Sequence, residues 1–183
     1  GGVPFLTDCN TLYPGSRKNA IEHMYCAWEN GFTPLTVGCP VIIGDGLKGT
    51  DDIEVPVEGG EYVKNAKIGR AIMDADVFIS LNHFKGHETA GFGGAIKNIG
   101  MGCGSRAGKM EQHAQGKPEI NESLCRGCKR CMKECANDGL VYDETTHKMH
   151  IDHEKCLGCG RCIGACNFDA IHSGYDAATK DFN

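Results

Sequence analysis

Residues 125–135 of this chain are CRGCKRCMKEC, and residues 156–166 are CLGCGRCIGAC. Both stretches have the spacing C-x2-C-x2-C-x3-C, and the second begins 31 residues after the first. The residues around them repeat at the same offset, as Asp138 and Asp169 do. A unit that recurs at a fixed period indicates an internal repeat. The two copies are therefore expected to form one small α+β domain with twofold symmetry, over residues 118–174. Between the two runs, residues 140–142 and Lys148–Ile151 are expected to form the two strands of a hairpin.

The cysteine spacing is that of bacterial-type ferredoxins, which hold 4Fe-4S clusters. Three thiolates on a tight loop can hold three corners of a cubane, but the fourth cysteine begins a helix that leads away from that loop. In a two-cluster pair the fourth cysteine therefore binds the other cluster. We expect two 4Fe-4S clusters with exchanged ligands, the first held by Cys125, Cys128, Cys131 and Cys166 and the second by Cys156, Cys159, Cys162 and Cys135.

Two structural zinc sites are the alternative interpretation, because paired C-x2-C units can also supply four thiolates. Zinc leaves the third cysteine of each run without a role, and it does not account for the spacing of the fourth cysteine. The cluster interpretation explains all eight cysteines of the two runs.

Each run departs from the usual ferredoxin pattern directly after its last cysteine, where Ala136 and Asn167 replace the customary proline. Both residues have the backbone N–H that proline lacks. An N–H donated to a ligand sulphur raises the reduction potential of the cluster. The alternative is that these N–H groups meet water or a helix carbonyl.

Residues 1–117 carry only four of the 12 cysteines and alternate short apolar runs with helical patterns. That alternation predicts an α/β domain, Rossmann-like with a mostly parallel sheet. Lys117-Pro118 marks the predicted boundary, and residues 175–183 are expected to form a tail. The predicted strands are Val3–Leu6, Leu35–Ile43, Ile53–Val57 and Val77–Leu81, and the predicted helices are Ser16–Asn30 and Tyr62–Ala75.

A glycine-rich segment runs from Gly86 to Gly108, with eight glycines among 23 residues. Backbone N–H groups of such a loop can approach an anion that nearby cations neutralise. The segment matches neither the Walker motif nor the dinucleotide fingerprint, so it does not indicate a nucleotide. The cations beside it are Lys85, Lys97, Arg106 and Lys109.

His83 and His87 follow the predicted strand Val77–Leu81, at the end where open α/β sheets place their ligand crevices. One hypothesis is a metal or substrate site, and the alternative is a pair of hydrogen-bonded structural histidines. Cys103 would have a lowered pKa if it were exposed to the nearby cations, and the alternative is a small buried residue in a tight turn. The candidate site residues are His83, Lys85, His87, Cys103, Arg106, Lys109 and His113.

Two further stretches carry a family resemblance: HFKGH at residues 83–87 and GFGGAIKNIGMGCGSRAGK at residues 91–109. Together with the cysteine runs that follow, they resemble iron-sulphur centre proteins built on the domain of unknown function 362. The resemblance implies an α/β domain with an inserted or appended two-cluster ferredoxin, in proteins of anaerobic bacteria and archaea. It implies no particular reaction. Members of that family are longer, and the start at Gly1 without a Met predicts that this chain is a fragment.

The composition excludes several classes of protein. A net charge of -5 argues against nucleic acid as a partner, because phosphate binding needs a basic surface. No apolar run approaches the roughly 18 residues of a membrane helix, so no membrane partner is expected. Because most of the cysteines have metal-ligand spacing, we predict a reduced, cytoplasmic protein. The expected partners are a redox protein and an anionic small molecule.

Two functional hypotheses follow. In the first, the clusters exchange electrons with a small-molecule or metal site on the α/β domain, which makes the protein an oxidoreductase. In the second, the protein is a non-catalytic electron carrier, and the α/β domain docks a partner redox protein. A shared crevice around His83 and His87 would favour the first hypothesis.

Overall fold

The structure is a computed structural model that describes residues 1–87, 91–114 and 117–174; the predicted tail lies outside these residues. The described strands are short, at three to five residues each. They are β1 Leu6–Asp8, β2 Val41–Ile43, β3 Asp52–Pro56, β4 Asn65–Gly69, β5 Lys85–His87, β6 Gly91–Gly93, β7 Pro118–Ile120, β8 Leu140–Asp143, β9 Lys148–Ile151 and β10 Ile171–Ser173.

The described helices are mostly short, and their ends follow from capping residues. The first helix begins after Asn19, whose side chain accepts a hydrogen bond from the Glu22 N–H at 3.1 Å, so it starts later than predicted from Ser16. The helices are α1 Ala20–Glu29, α2 Pro34–Val37, α3 Arg70–Met73, α4 Ala95–Lys97, α5 Arg106–Ala114, α6 Arg130–Glu134 and α7 Arg161–Ala165, with a π-helix at Asn98–Gly102. Among the described residues, none of these helices has the length and apolar character needed to cross a membrane.

The described strands form two-stranded pairs. β1 and β2 are parallel, with Leu6 opposite Val41. The pairs β3–β4, β5–β6, β7–β10 and β8–β9 are antiparallel. The parallel pair has the crossover through α1 that an α/β domain requires. A larger, mostly parallel Rossmann-like sheet stays a prediction.

Several predicted elements of the N-terminal region, residues 1–117, differ from the structure. The predicted strand from Leu35 to Ile43 is divided. Its first part belongs to α2, which the Thr33 side chain caps, and only its last three residues form β2. The predicted helix Tyr62–Ala75 is also divided, since β4 pairs with β3 residue by residue before α3 begins. The predicted strand Val77–Leu81 has no ladder partner among the described residues, and its backbone forms no strand.

The cysteine-rich region, residues 118–174, has the predicted internal symmetry. The β8–β9 hairpin is confirmed, with Leu140 opposite Ile151. The two runs have matching backbones, because α6 and α7 begin 31 residues apart. The left-handed residues Asp138 (φ 52) and Asp169 (φ 50) also match at this offset.

One hydrophobic core extends across both regions. The N-terminal region contributes Leu12, which is 2% exposed, and Met110, which is fully buried. The cysteine-rich region contributes the other residues of the same cluster: Cys125, Cys131, Leu140, Met149, Ile163, Ala170 and Ile171. The two regions therefore share apolar contacts in addition to polar ones.

Candidate metal-cluster site

A small pocket that opens to solvent lies beside the first cysteine run. Its walls include Cys125, Cys128 and Cys131 of that run together with Cys166 of the second run. Cys125 and Cys131 are buried, whereas Cys128 is exposed. The structure thus brings together the four cysteines that the sequence assigns to the first cluster.

The second predicted set of cysteines is also gathered around one loop. Burial, followed by the neighbouring Cys159 and Cys156, raises the pKa of Cys162 to about 12. The Cys135 sulphur accepts a hydrogen bond from the Gly139 N–H at 3.3 Å. A Cβ placed on Gly139 would lie 3.3 Å from the Cys156 Cα, so the turn that follows Cys135 packs against the start of the second run.

Two lysines bind the cysteine runs in the same way at positions 31 residues apart. The Lys117 ammonium donates to the carbonyl of Cys156 at 2.7 Å, and the Lys148 ammonium donates to the carbonyl of Cys125 at 2.5 Å. Each lysine therefore holds the first cysteine of one run in position. Sequence reasoning missed both residues, although the repeat offset that relates them is visible in the sequence.

Two further symmetric hydrogen bonds reach the fourth cysteine of each run. The Ala170 N–H donates to the Cys166 sulphur at 3.4 Å, as the Gly139 N–H does to Cys135. These donors lie four residues after the cysteine, not directly after it at Ala136 and Asn167. The N–H···S contacts of this fold therefore come from a turn that the missing proline does not change.

The donor set fits an iron-sulphur cluster chemically. Burial, then the neighbouring Cys166, Cys128 and Cys125, raise the pKa of Cys131 to about 11. A crowded set of buried thiols loses its protons readily only to a metal centre. Among residues 1–87, 91–114 and 117–174, no three His, Cys, Asp or Glu side chains are grouped closely enough for a single metal ion. An iron-sulphur cluster would be held by Cys125, Cys128, Cys131 and Cys166, which line one pocket.

Gly127 shows how closely the backbone packs at the first run. It has φ +60, and a Cβ there would lie 2.2 Å from the carbonyl oxygen of His147. A side chain at this position would push the hairpin β8–β9 away from the run. A glycine at position 127 is thus required by the fold around the thiols.

Arg106 of the N-terminal region packs against the second run. Its side chain is buried, with 1% of the residue exposed, and Nη1 donates to the carbonyl of Gly160 at 3.4 Å. A Cβ on Gly160 would lie 2.6 Å from the Arg106 Cδ, and one on Gly164 would lie 2.1 Å from Nη1. Arg106 therefore occupies a space that two glycines leave open.

Lys18 forms a second contact between the regions. Its ammonium donates to the carbonyl of Cys166 at 2.9 Å and to the Asp169 carboxylate at 2.5 Å. The lysine is buried, while the Asp169 side chain is about one third exposed. Lys18 therefore positions the last cysteine of the second run, and its charge is paired.

A buried polar cluster lies at the carboxyl ends of β1 and β2. Both the backbone and the side-chain N–H of Asn10 donate to one Asp45 oxygen at 2.9 Å. Asp8 lies 3.6 Å from His23; burial acts to raise the pKa of Asp8, but His23 and the charge of Lys109 hold it below its ordinary value. Sequence reasoning missed these residues, although their positions after two strands were a signal for them.

The candidate residues around the glycine-rich segment differ in exposure. His83 and Lys85 are exposed, and His87 is half-buried on β5. Burial, followed by Lys97 and His87, lowers the pKa of His113 to about 4, so His87 and His113 are within electrostatic reach. A crevice shared by His83 and His87 stays a prediction, and residues 88–90 between the paired strands lie outside the described residues.

The remaining candidates of that segment have structural contacts. Cys103 is buried, and burial raises its pKa, which favours the interpretation as a small residue in a turn. Its sulphur donates to the Asn98 carbonyl at 3.8 Å. Lys109 is buried and donates to the carbonyls of Gly102 and Gly104 at 3.3 and 2.8 Å. The guanidinium of Arg106 packs on the second cysteine run, and a role for Arg106 in binding an anion at the glycine-rich loop stays a prediction.

Comparison with protein-family models gives a match over residues 1–177 to the family described as Domain of unknown function (DUF362). The matched stretch includes the N-terminal region and both cysteine runs. Comparison with curated proteins and with solved structures gives no match to this chain.

Proposed function

The chain belongs to the DUF362 family, and within that family we propose that it is an electron carrier with two 4Fe-4S clusters. The observation that carries this proposal is the pocket lined by Cys125, Cys128, Cys131 and Cys166. Three of these residues come from one run and the fourth from the other. This arrangement supports exchanged ligation better than two separate zinc sites.

The residues of the chain have three tasks in this proposal. The eight thiolates of the two runs bind the clusters, which supply one-electron transfer when they are bound. Lys117 and Lys148 orient the carbonyl groups of the first cysteine of each run. The Gly139 and Ala170 N–H groups donate to the Cys135 and Cys166 sulphurs and stabilise them as thiolates.

The exposure of one cysteine in each run favours a protein as the electron partner. Cys128 and Cys159 are exposed, so one corner of each cluster would lie close to the surface. A partner redox protein could approach these corners without entering the core. An oxidoreductase site at His83 and His87 remains a hypothesis, and the contacts of the described residues do not favour it over the carrier.

Metal analysis of protein purified or reconstituted without oxygen tests the proposal. We expect about eight iron atoms per chain from the ligand count. Replacing Cys128 with Ser should lower the iron content, whereas replacing Cys26 or Cys39, which lie in neither run, should not. A content of about two iron atoms, or stoichiometric zinc, would overturn the assignment.

A further inference from the structure

The two cysteine runs differ at two positions that the repeat makes equivalent. Lys129 and Lys133 of the first run correspond to Gly160 and Gly164 of the second. Lys129 and Gly160 have the same left-handed backbone, with φ 57 and φ 69. The fold therefore accepts a side chain at this position, and the second run lacks one because Arg106 fills the space.

Arg106 is held in place from both sides. Its backbone N–H donates to the Gly49 carbonyl at 3.1 Å, and a Cβ on Gly49 would lie 3.2 Å from its Cζ. The guanidinium is thus enclosed between Gly49 and the second run. Its Nε and Nη2 atoms have no hydrogen-bond partner among the described residues. Burying a guanidinium in this way costs free energy.

The positive charge of Arg106 is partly compensated, because Asp45 interacts with it electrostatically. Arginine remains protonated even when it is buried. Asp45 is the nearby carboxylate, but it forms no ion pair within 4.0 Å with Arg106 among the described contacts, and its Oδ2 is also without a hydrogen-bond partner. Lys18, beside the other cluster ligand Cys166, is instead paired with Asp169 at 2.5 Å.

We propose that Arg106 makes the two clusters unequal, by raising the reduction potential of the cluster held by Cys156, Cys159, Cys162 and Cys135. The proposal rests on the proposed function. In the reduction step, a donor protein loses one electron and that cluster gains it. A fixed cation in a dry environment stabilises the added negative charge. The electron should then reside on the cluster held by Cys156, Cys159, Cys162 and Cys135.

The test is a potentiometric titration of the full chain without oxygen, monitored by electron paramagnetic resonance, for the wild type and Arg106→Met. In Arg106→Met, the reduction potential of one cluster should fall by about 59 mV, and that of the other should not change. At a given solution potential, this lowers the ratio of reduced to oxidised cluster about tenfold. Arg106→Lys keeps the charge and should retain most of the wild-type potential. Arg130→Met removes an exposed arginine beside Cys131, and water screening should keep its effect much smaller.

A second pair of variants tests Arg106 without replacing it: the first displaces its side chain, and the second is the matched control. Gly164→Ala puts a Cβ 2.1 Å from Nη1 and should lower the same potential, whereas Lys133→Ala at the equivalent position of the first run should not. This pair decides the proposal if Arg106→Met does not fold. Full iron content with unchanged potentials in Arg106→Met and Gly164→Ala would overturn the role of Arg106 alone. Absence of iron in the wild type would overturn the proposed function instead.

Discussion

Cys135 is the residue at which exchanged and unexchanged ligand sets make opposite predictions. Its sulphur accepts from the Gly139 N–H, and Gly139 packs against Cys156 of the second run. Cys135→Ser should therefore remove the cluster bound by the second run and lower the iron content by about half. Electron paramagnetic resonance and iron analysis measure this. Cys166→Ser is the matched variant and should remove the other cluster; the reverse assignment would contradict exchanged ligation.

His113 is expected to make stability depend on pH. Burial lowers its pKa to about 4, from an ordinary value of 6.5, so the unfolded chain takes up a proton at a higher pH than the folded chain does. The contribution of neutral His113 to the free energy of unfolding is complete above pH 6.5 and is lost as the pH falls from 6.5 toward 4. His113→Gln cannot titrate, so its melting temperature should fall less than that of the wild type between pH 7 and pH 5.5. Equal falls in both proteins would contradict the prediction.

Single residues show which parts of the site the sequence could predict. The cysteine ligands are local, because three of every four lie within seven residues, and their spacing was sufficient to group them. Arg106 contacts Gly160 from 54 residues away. No local pattern reports such a contact, and the sequence analysis placed Arg106 with the adjacent glycine-rich loop. The available signal was the glycines of the second run at positions where the first has lysines.

The turns after α6 and α7 determine which backbone groups reach the sulphurs. Gly139 and Ala170 donate to Cys135 and Cys166, while Ala136 and Asn167 lie at the start of these turns. We therefore expect Ala136→Pro and Asn167→Pro to leave both reduction potentials unchanged, because proline removes an N–H that does not serve the sulphur. Potentiometric titration measures this. A lower potential in either variant would show that the N–H next to the cysteine contributes after all.

At the scale of elements, the repeat and its hairpin were predictable and the N-terminal strands were less so. The β8–β9 hairpin lies within one short stretch and forms from its own residues. A strand such as Val77–Leu81 requires a partner from elsewhere in the chain, and its apolar composition cannot supply one. The exposed side chains of Val77 and Ile79, each at 76%, are consistent with this missing ladder. The β-propensity of the residues therefore located the apolar segment but did not show whether it forms a strand.

The polar contacts between the two regions should differ in strength. Lys18 is buried and bonds to both Asp169 and the Cys166 carbonyl, whereas Lys48 is more than half exposed in its pair with Glu134. Lys18→Met should lower the free energy of unfolding by about 1–3 kcal/mol, because it leaves two acceptors without a donor. Lys48→Met is the control and should cost about 0–1 kcal/mol. Because cluster loss is irreversible, both variants are compared with the wild type by their denaturant midpoints at one incubation time without oxygen. Equal shifts would contradict a structural role for Lys18.

The shared core predicts that the whole molecule unfolds as one unit. Leu12 and Met110 of the N-terminal region pack in the same cluster as Met149 and Ile163 of the cysteine-rich region. Loss of either region would therefore expose apolar surface of the other. The visible absorbance of the bound clusters reports on the cysteine-rich region, and the single tryptophan, Trp28 on α1, reports on the N-terminal region.

We expect the two signals to change at the same temperature in a scan without oxygen, because cooperative unfolding makes independent probes coincide. Both samples must be scanned at one rate, since cluster loss is irreversible and the midpoint depends on the rate. Met110→Ala should lower both midpoints together, since it leaves a cavity where the two regions meet. If the absorbance decayed well below the temperature at which Trp28 fluorescence changes, the two regions would be independent domains. The contacts of Arg106 and Lys18 would then be too weak to couple them.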